Sequence, residues 1–245
     1  MTAHLKKKIL LISSSQHFIN IFLKDFLDKI SLDYELTLMT NFSDKKLFSE
    51  SIKIVQIPIK RKISLFYDLY TAYLIIFKCL RNKPDIIITV TPKTIIFGIF
   101  LKIIFPKINR HHIYTGITWS NMNNFVKYFF LFLDKINIAL SDKVIFDSIN
   151  QINFLKDNKF KYNNKFYLIN KGSIKGVDTD KFYKFDLTTV KNLKKKLNIP
   201  HDKKIILYMG RMDPNKGILD LLKVFKDLKY KFSNILLLLV GKDEM

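Results

Sequence analysis

Two cations set at a fixed interval and flanked by glycines mark the first place where this chain could do chemistry. Gly210 and Arg211, then four residues, then Lys216 and Gly217 follow the apolar run Ile205 to Met209. A guanidinium grips two phosphate oxygens at once, and an ammonium adds a mobile point charge. Beside a helix N-terminus, whose unpaired N–H groups and dipole favour anions, such a pair suits a diphosphate. The same residues also read as two solvated loop charges, and the spacing alone leaves both readings open.

The elements that must position these cations are legible around them. Ile205 to Met209 is β-prone, Asp213-Pro214-Asn215 turns the chain, and Ile218, Leu221, Leu222 and Phe225 recur at helical spacing. A second apolar run, Asn234 to Val240, ends in Gly241. Together they predict a β-α-β unit, and ligands of open α/β sheets gather at the carboxyl ends of such strands.

The same rhythm fills the rest of the chain. Lys8 to Ile12 reads as a strand, Ser13-Ser14-Ser15 as its loop, and His17 to Ile30 as a helix with Ile19, Phe22, Leu23, Phe26, Leu27 and Ile30 at helical spacing. Strands are expected at Tyr34 to Met39 and Ile52 to Ile57, and a helix at Leu65 to Arg81 that Asn82-Lys83-Pro84 ends. Asp85 to Val90 is continuously apolar, as in a parallel strand buried on both faces. Further strands fall at His111 to Thr115, Asp142 to Phe146 and Lys165 to Ile169, with helices at Phe125 to Leu140, from Asn150, and at Lys191 to Leu197. The fold class is α/β. A Rossmann-like domain is expected over 1–170, a linker over 171–200 where Gly172 and Gly176 free the backbone, and a second domain entered at 201–245.

A net charge of +21 draws the chain to anionic partners, either nucleic acid or a membrane rich in acidic lipid. Part of that charge follows from a composition crowded with Lys, Ile, Asn and Phe, the residues of AT-rich codons. Aromatics lie inside apolar runs such as Phe129-Phe130-Leu131-Phe132 rather than among arginines, which argues against nucleic acid. A single cysteine, Cys79, excludes an intramolecular disulfide, suits a reducing compartment and reads as buried. Lys6-Lys7-Lys8 precedes too short an apolar run for a secretory signal. The stretches Leu65 to Leu80, Thr94 to Ile108 and Phe125 to Leu140 are broken by Asp68, Lys102 and Asp134, and read as core or interfacial helices rather than spans. His111 and His112 alternate along a strand and form no one-sided metal pair. Lys194-Lys195-Lys196 reads as a solvated face.

Ile206 to Glu244 resembles the start of the C-terminal domain of family 4 retaining glycosyltransferases, which have the two-domain GT-B fold. Asn170 to Phe185 resembles the family's inter-domain stretch. Asp85 to Ile103 with Arg110 to Asn121 resembles the subgroup that extends lipid-linked glycans in capsule, O-antigen and protein-glycosylation pathways. The resemblance implies that Arg211 and Lys216 hold the donor diphosphate and stabilise the leaving group, in a loop shaped by Gly210 and Gly217. It implies a nucleotide-sugar donor, UDP-linked, a polyprenyl-diphosphate-linked acceptor glycan, no metal or further cofactor, and a peripheral position on the inner membrane face.

Thr91 and Lys93, after a strand's carboxyl end, are then candidates for the acceptor's phosphate; Lys93 also reads as a helix-start lysine in solvent. Trp119 reads either as a stacking platform for sugar or headgroup or as a core residue. Two features depart from the family: serines stand where its first loop often has glycines, and Gly116 stands near a common histidine. The family also continues for about a hundred residues, a domain's worth, through the acidic pair and the base and ribose pocket. The expectation is therefore a C-terminally shortened transferase. The rival readings are an inactive membrane-surface or acceptor-binding fragment and, behind it, a nucleic-acid-binding protein.

Overall fold

The computed structural model describes residues 6–42, 48–60, 64–120, 122, 125–161, 164–169 and 171–243. They form two compact units, one up to Gly176 and one from Val177 onward. In the first, strands β1 (Lys8–Ser13), β2 (Glu35–Thr40), β3 (Lys53–Gln56), β4 (Ile86–Val90), β5 (Asn109–Tyr114), β6 (Lys143–Phe146) and β7 (Phe166–Leu168) make a parallel sheet in the order β3-β2-β1-β4-β5-β6-β7. The strand order turns back between β1 and β4, so a crevice opens beyond their carboxyl ends, where Ser13 lies opposite Val90.

Side-chain alternation explains why β1 is apolar throughout. Ile9 and Leu11 enter a core with Ile19, Leu23 and Leu27 on one face of the sheet, while Leu10 and Ile12 meet Ile75, Cys79, Phe97 and Leu101 on the other. Each such side chain contributes about 1.5–3 kcal/mol on burial. The expected first helix is in fact α1 (Gln16–Phe18), a π-helical turn at Ile19–Leu23 and α2 (Lys24–Ile30). Ser15 opens it by accepting from the Phe18 N–H at 3.2 Å.

The remaining helices of this unit are α3 (Leu65–Asn82), α4 (Thr94–Ile104), α5 (Phe125–Leu140) and α6 (Ile149–Asp157). Lys83 ends α3 in the left-handed region at φ 45°, just before Pro84. Arg110 of β5 is fully buried; its guanidinium donates to Asn137 O at 3.0 Å, to Ser141 Oγ at 2.9 Å and to Asn137 Oδ1. Gly98 of α4 makes room for it, since a Cβ there would sit 2.6 Å from Nε and Nη2. Burial pushes the Arg110 pKa down to about 10, so it remains charged at neutral pH.

The second unit contains α7 (Leu187–Lys196), β8 (Lys204–Met209), a 3-10 turn (Pro214–Lys216), α8 (Ile218–Lys231) and β9 (Ile235–Val240). Asp186 caps α7 through the Thr189 N–H at 2.8 Å, so that helix begins before the expected Lys191. Strands β8 and β9 pair in parallel from Lys204 opposite Ile235 to Met209 opposite Val240.

Candidate active site

Beyond β8 and β9 the two backbones continue together for a few residues. The Gly210 N–H donates to Val240 O and the Met212 N–H to Lys242 O, each at 2.9 Å. Gly241, at φ 153°, passes so close that a Cβ would lie 1.8 Å from Gly210 O. The approach therefore requires glycine, and it fixes where the Arg211 backbone emerges. The Tyr208 hydroxyl pins that backbone further by donating to Arg211 O at 2.6 Å.

The loop then closes on itself, with Lys216 N–H bonded to Asp213 O at 2.8 Å and Gly217 N–H to Pro214 O at 3.0 Å. Gly217 adopts φ 72° as the N-cap of α8 and offers no side-chain hydrogen bond to the helix. A serine or aspartate there would bond an N–H of the first turn; glycine supplies no such bond. Arg211, about half exposed, has Nη1 3.9 Å from Asp213 Oδ2, and Lys216 is exposed. One short loop thus gathers Gly210, Arg211, Lys216 and Gly217 around the positive end of a fourteen-residue helix. The arrangement can bind a dianion and stabilise charge that develops on it.

Residues 189–245 match the family described as glycosyl transferases group 1. The match starts inside α7 and takes in β8, the cationic loop, α8 and β9. Among curated relatives, the capsular polysaccharide biosynthesis glycosyltransferase CapM of Staphylococcus aureus is 29% identical over 221 residues, covering 90% of this chain and 57% of the relative. A lipopolysaccharide 1,2-N-acetylglucosaminetransferase of Salmonella typhimurium is 52% identical over 50 residues, covering 20% of this chain and 13% of the relative. The chain thus spans little more than half the length of CapM. Among solved structures, HepE of Anabaena in complex with UDP and glucose superposes with a TM-score of 0.69 at 17% identity, covering 98% of this chain and 62% of that one. That likeness carries the fold, which is α/β and GT-B-like.

With the group 1 match on the second unit, the crevice of the first is a second place for chemistry. Ser14 Oγ and Thr91 Oγ1 lie 2.7 Å apart across it, linking the loops after β1 and β4. The Ser15 N–H donates to Ser13 Oγ at 3.2 Å, and Thr94 Oγ1 closes the start of α4 on Val90 O and Thr91 O. Thr91 holds φ 88°, a strained state for a β-branched residue that costs about 1–3 kcal/mol.

Lys93 is not the solvated lysine that its helix-start position allows. Its side chain is 9% exposed and its Nζ lies 2.7 Å from Asp68 Oδ1 of α3, so reaching a phosphate requires leaving that carboxylate. Trp119 offers no face to a sugar or headgroup. It is fully buried, against Phe154 and Phe160, and its Nε1–H donates to Asp134 Oδ2 at 2.8 Å. Asn121 and Asn170, quoted in the sequence motifs, lie outside the described residues. His112 is buried on Thr89 while His111 turns to Asn109, so the two part across the strand as expected.

Asp134 is the residue that sequence reasoning passed over, seen there only as a charge interrupting an apolar helix. It is buried, accepts from Trp119 and from the Tyr114 hydroxyl at 2.9 Å, and borders an apolar groove of about 400 Å³ between α3, α4 and α5. Burial pushes its pKa up to about 6, against the pull of the two donors. Lys93 and Asp68 border the same groove.

Proposed function

We propose that this chain serves sugar transfer from a nucleotide-sugar, UDP-linked, to a polyprenyl-diphosphate-linked glycan in surface-polysaccharide synthesis, with retention of anomeric configuration. The observation that carries the reading is the placing of Arg211 and Lys216 in the loop that leads into α8, whose N-cap is Gly217. In this reading the donor diphosphate sits on the first-turn N–H groups, Arg211 grips its oxygens, and Lys216 adds charge as the glycosidic bond breaks. Preorganised donors aimed at a developing anion are usually the largest catalytic contribution, and no metal or other cofactor is called for. Support comes from the group 1 match over this loop, from the function named for CapM, and from the UDP held by the structurally similar HepE.

The first unit takes the acceptor in the same reading. Thr91 lies at the crevice and Lys93 borders the apolar groove, so a lysine swung away from Asp68 would meet an acceptor phosphate whose lipid runs along the groove. The net charge of +21 fits a peripheral position on the inner, anionic membrane face. Among the described residues no helix is long and apolar enough to cross a membrane.

Titration calorimetry with UDP tests the donor half. Arg211→Ala and Lys216→Ala should each weaken binding about tenfold, the loss of roughly one charge-assisted hydrogen bond. Affinity unchanged in both would overturn the assignment.

A further inference from the structure

We infer that the outward face of α3, α4 and α5 docks on an anionic lipid bilayer. The inference deepens the membrane reading above by naming the surface that makes the contact, and it does not depend on donor chemistry. Helix α3 turns Thr71, Ile75 and Cys79 inward, and a water-facing helix would then be polar on its other side. Instead that side carries Phe66, Tyr70, Tyr73, Phe77 and Leu80 at helical spacing, from 45% to 85% exposed.

The neighbouring helices extend the same surface. Helix α4 packs against both α3 and α5 and exposes Phe100 and Ile103, while α5 exposes Phe125, Tyr128, Phe129 and Phe132. The groove between the three helices is lined by Leu69 and Phe100, themselves exposed, so the face is continuous across it. At roughly 200 Å² for a whole aromatic side chain, it presents on the order of 1,000 Å² of apolar surface, well beyond the patches of ordinary monomers.

Charge selects the occupant. The acids of the three helices are withdrawn, Asp68 into its pair with Lys93 and Asp134 into the core. The cations Arg81 and Lys135 stay exposed on the same helices, with Lys78 and Lys127 partly so. A surface of phenylalanine, tyrosine and leucine whose own helices expose cations and draw in their acids suits the boundary between acyl chains and acidic headgroups, with the helices lying in its plane.

Flotation of the full chain with vesicles of phosphatidylcholine, with and without phosphatidylglycerol, and with neither donor nor acceptor present, tests this directly. The chain should float, more strongly with phosphatidylglycerol. The exposed-site variant Phe66→Glu/Tyr73→Glu/Phe129→Glu should lose at least about tenfold in vesicle affinity, with Trp119 fluorescence and circular dichroism confirming the fold. Phe22→Glu, exposed on the opposite face of the sheet, should bind as the parent does. A parent chain that does not float overturns the inference, as does a triple variant that binds like the parent. So does a lipid-free dimer that the triple variant disperses while the parent ignores vesicles. None of these outcomes touches the UDP titration, so the two readings fail separately.

Discussion

Asp134 should make the first unit less stable at neutral pH than in mild acid. Burial raises its carboxyl from 3.8 to about 6, although Trp119 and Tyr114 both donate to it. The unfolded chain therefore releases this proton first as pH rises, while the native state still holds it. The group's contribution is full below pH 3.8, falls through the window up to about 6, and levels off above it. A shift of about two units at roughly 1.4 kcal/mol each amounts to about 3 kcal/mol. Asp134→Asn keeps the shape and removes the charge, with its amide N–H₂ turned to the Tyr114 oxygen. Urea unfolding followed by fluorescence of Trp119, the single tryptophan, reports on this unit alone because the indole sits in its core. The stability of the parent relative to the variant should fall by about 3 kcal/mol in all, most of it between pH 4 and pH 7. Other titrating groups, such as Asp142 lowered by its Arg110 and Lys102 hydrogen bonds and the buried His112, are common to both proteins and cancel. A difference that stays flat with pH would refute the buried, proton-holding carboxylate.

Gly241→Ala forces a methyl against the Gly210 carbonyl 1.8 Å away, and because that atom is backbone the strand ends must part. It should destabilise the second unit by about 2–4 kcal/mol and weaken UDP binding with it, read by thermal unfolding and calorimetry. Gly98→Ala drives a methyl into the Arg110 guanidinium at 2.6 Å, a fully buried group with nowhere to swing. The urea midpoint read from Trp119 should fall by the equivalent of about 1–3 kcal/mol.

The alternation of strands and helices was legible because strands such as β1 and β4 are nearly unbroken apolar runs and helices such as α3 and α8 repeat at 3.6 residues. The cationic loop was legible for a different reason: glycines and a proline punctuate it, and its chemistry sits in two side chains close in sequence. Strand order was not, since nothing local to β1 says that β4 will lie beside it. The surroundings of Lys93 and Trp119 were left open for the same cause. What decides their roles is Asp68 on another helix and Asp134 on another, contacts that periodicity does not carry. Asp134 itself looked like an argument against a membrane span, because a lone acid among Phe and Leu shows no partner until Tyr114 and Trp119 fold onto it. The outward stripe of α3 is similar: the sequence said core or interface, and only the packing of Ile75 and Cys79 tells which half is left outside.

The two units place different chemistry at the carboxyl ends of their parallel strands. In the first, the crevice is lined by neutral hydroxyls of Ser13, Ser14 and Thr91, and the nearby Lys93 is matched by Asp68. In the second, Arg211 and Lys216 lie in the loop that leads to a helix N-terminus whose cap is a glycine, and Asp213 Oδ2 is 3.9 Å from Arg211. A neutral, hydroxyl-lined crevice distinguishes ligands by hydrogen-bond geometry and gains little from their charge, while a loop with two cations gains most from a compact dianion. If one chain must hold a polyhydroxylated acceptor and a nucleoside diphosphate, the hydroxyl-lined crevice suits the glycan, while Lys93, once released from Asp68, is left for the acceptor's own phosphate. The strain at Thr91 and the forced glycine at 241 fall at these same strand ends, so both units hold unusual backbone where their ligands are proposed to bind.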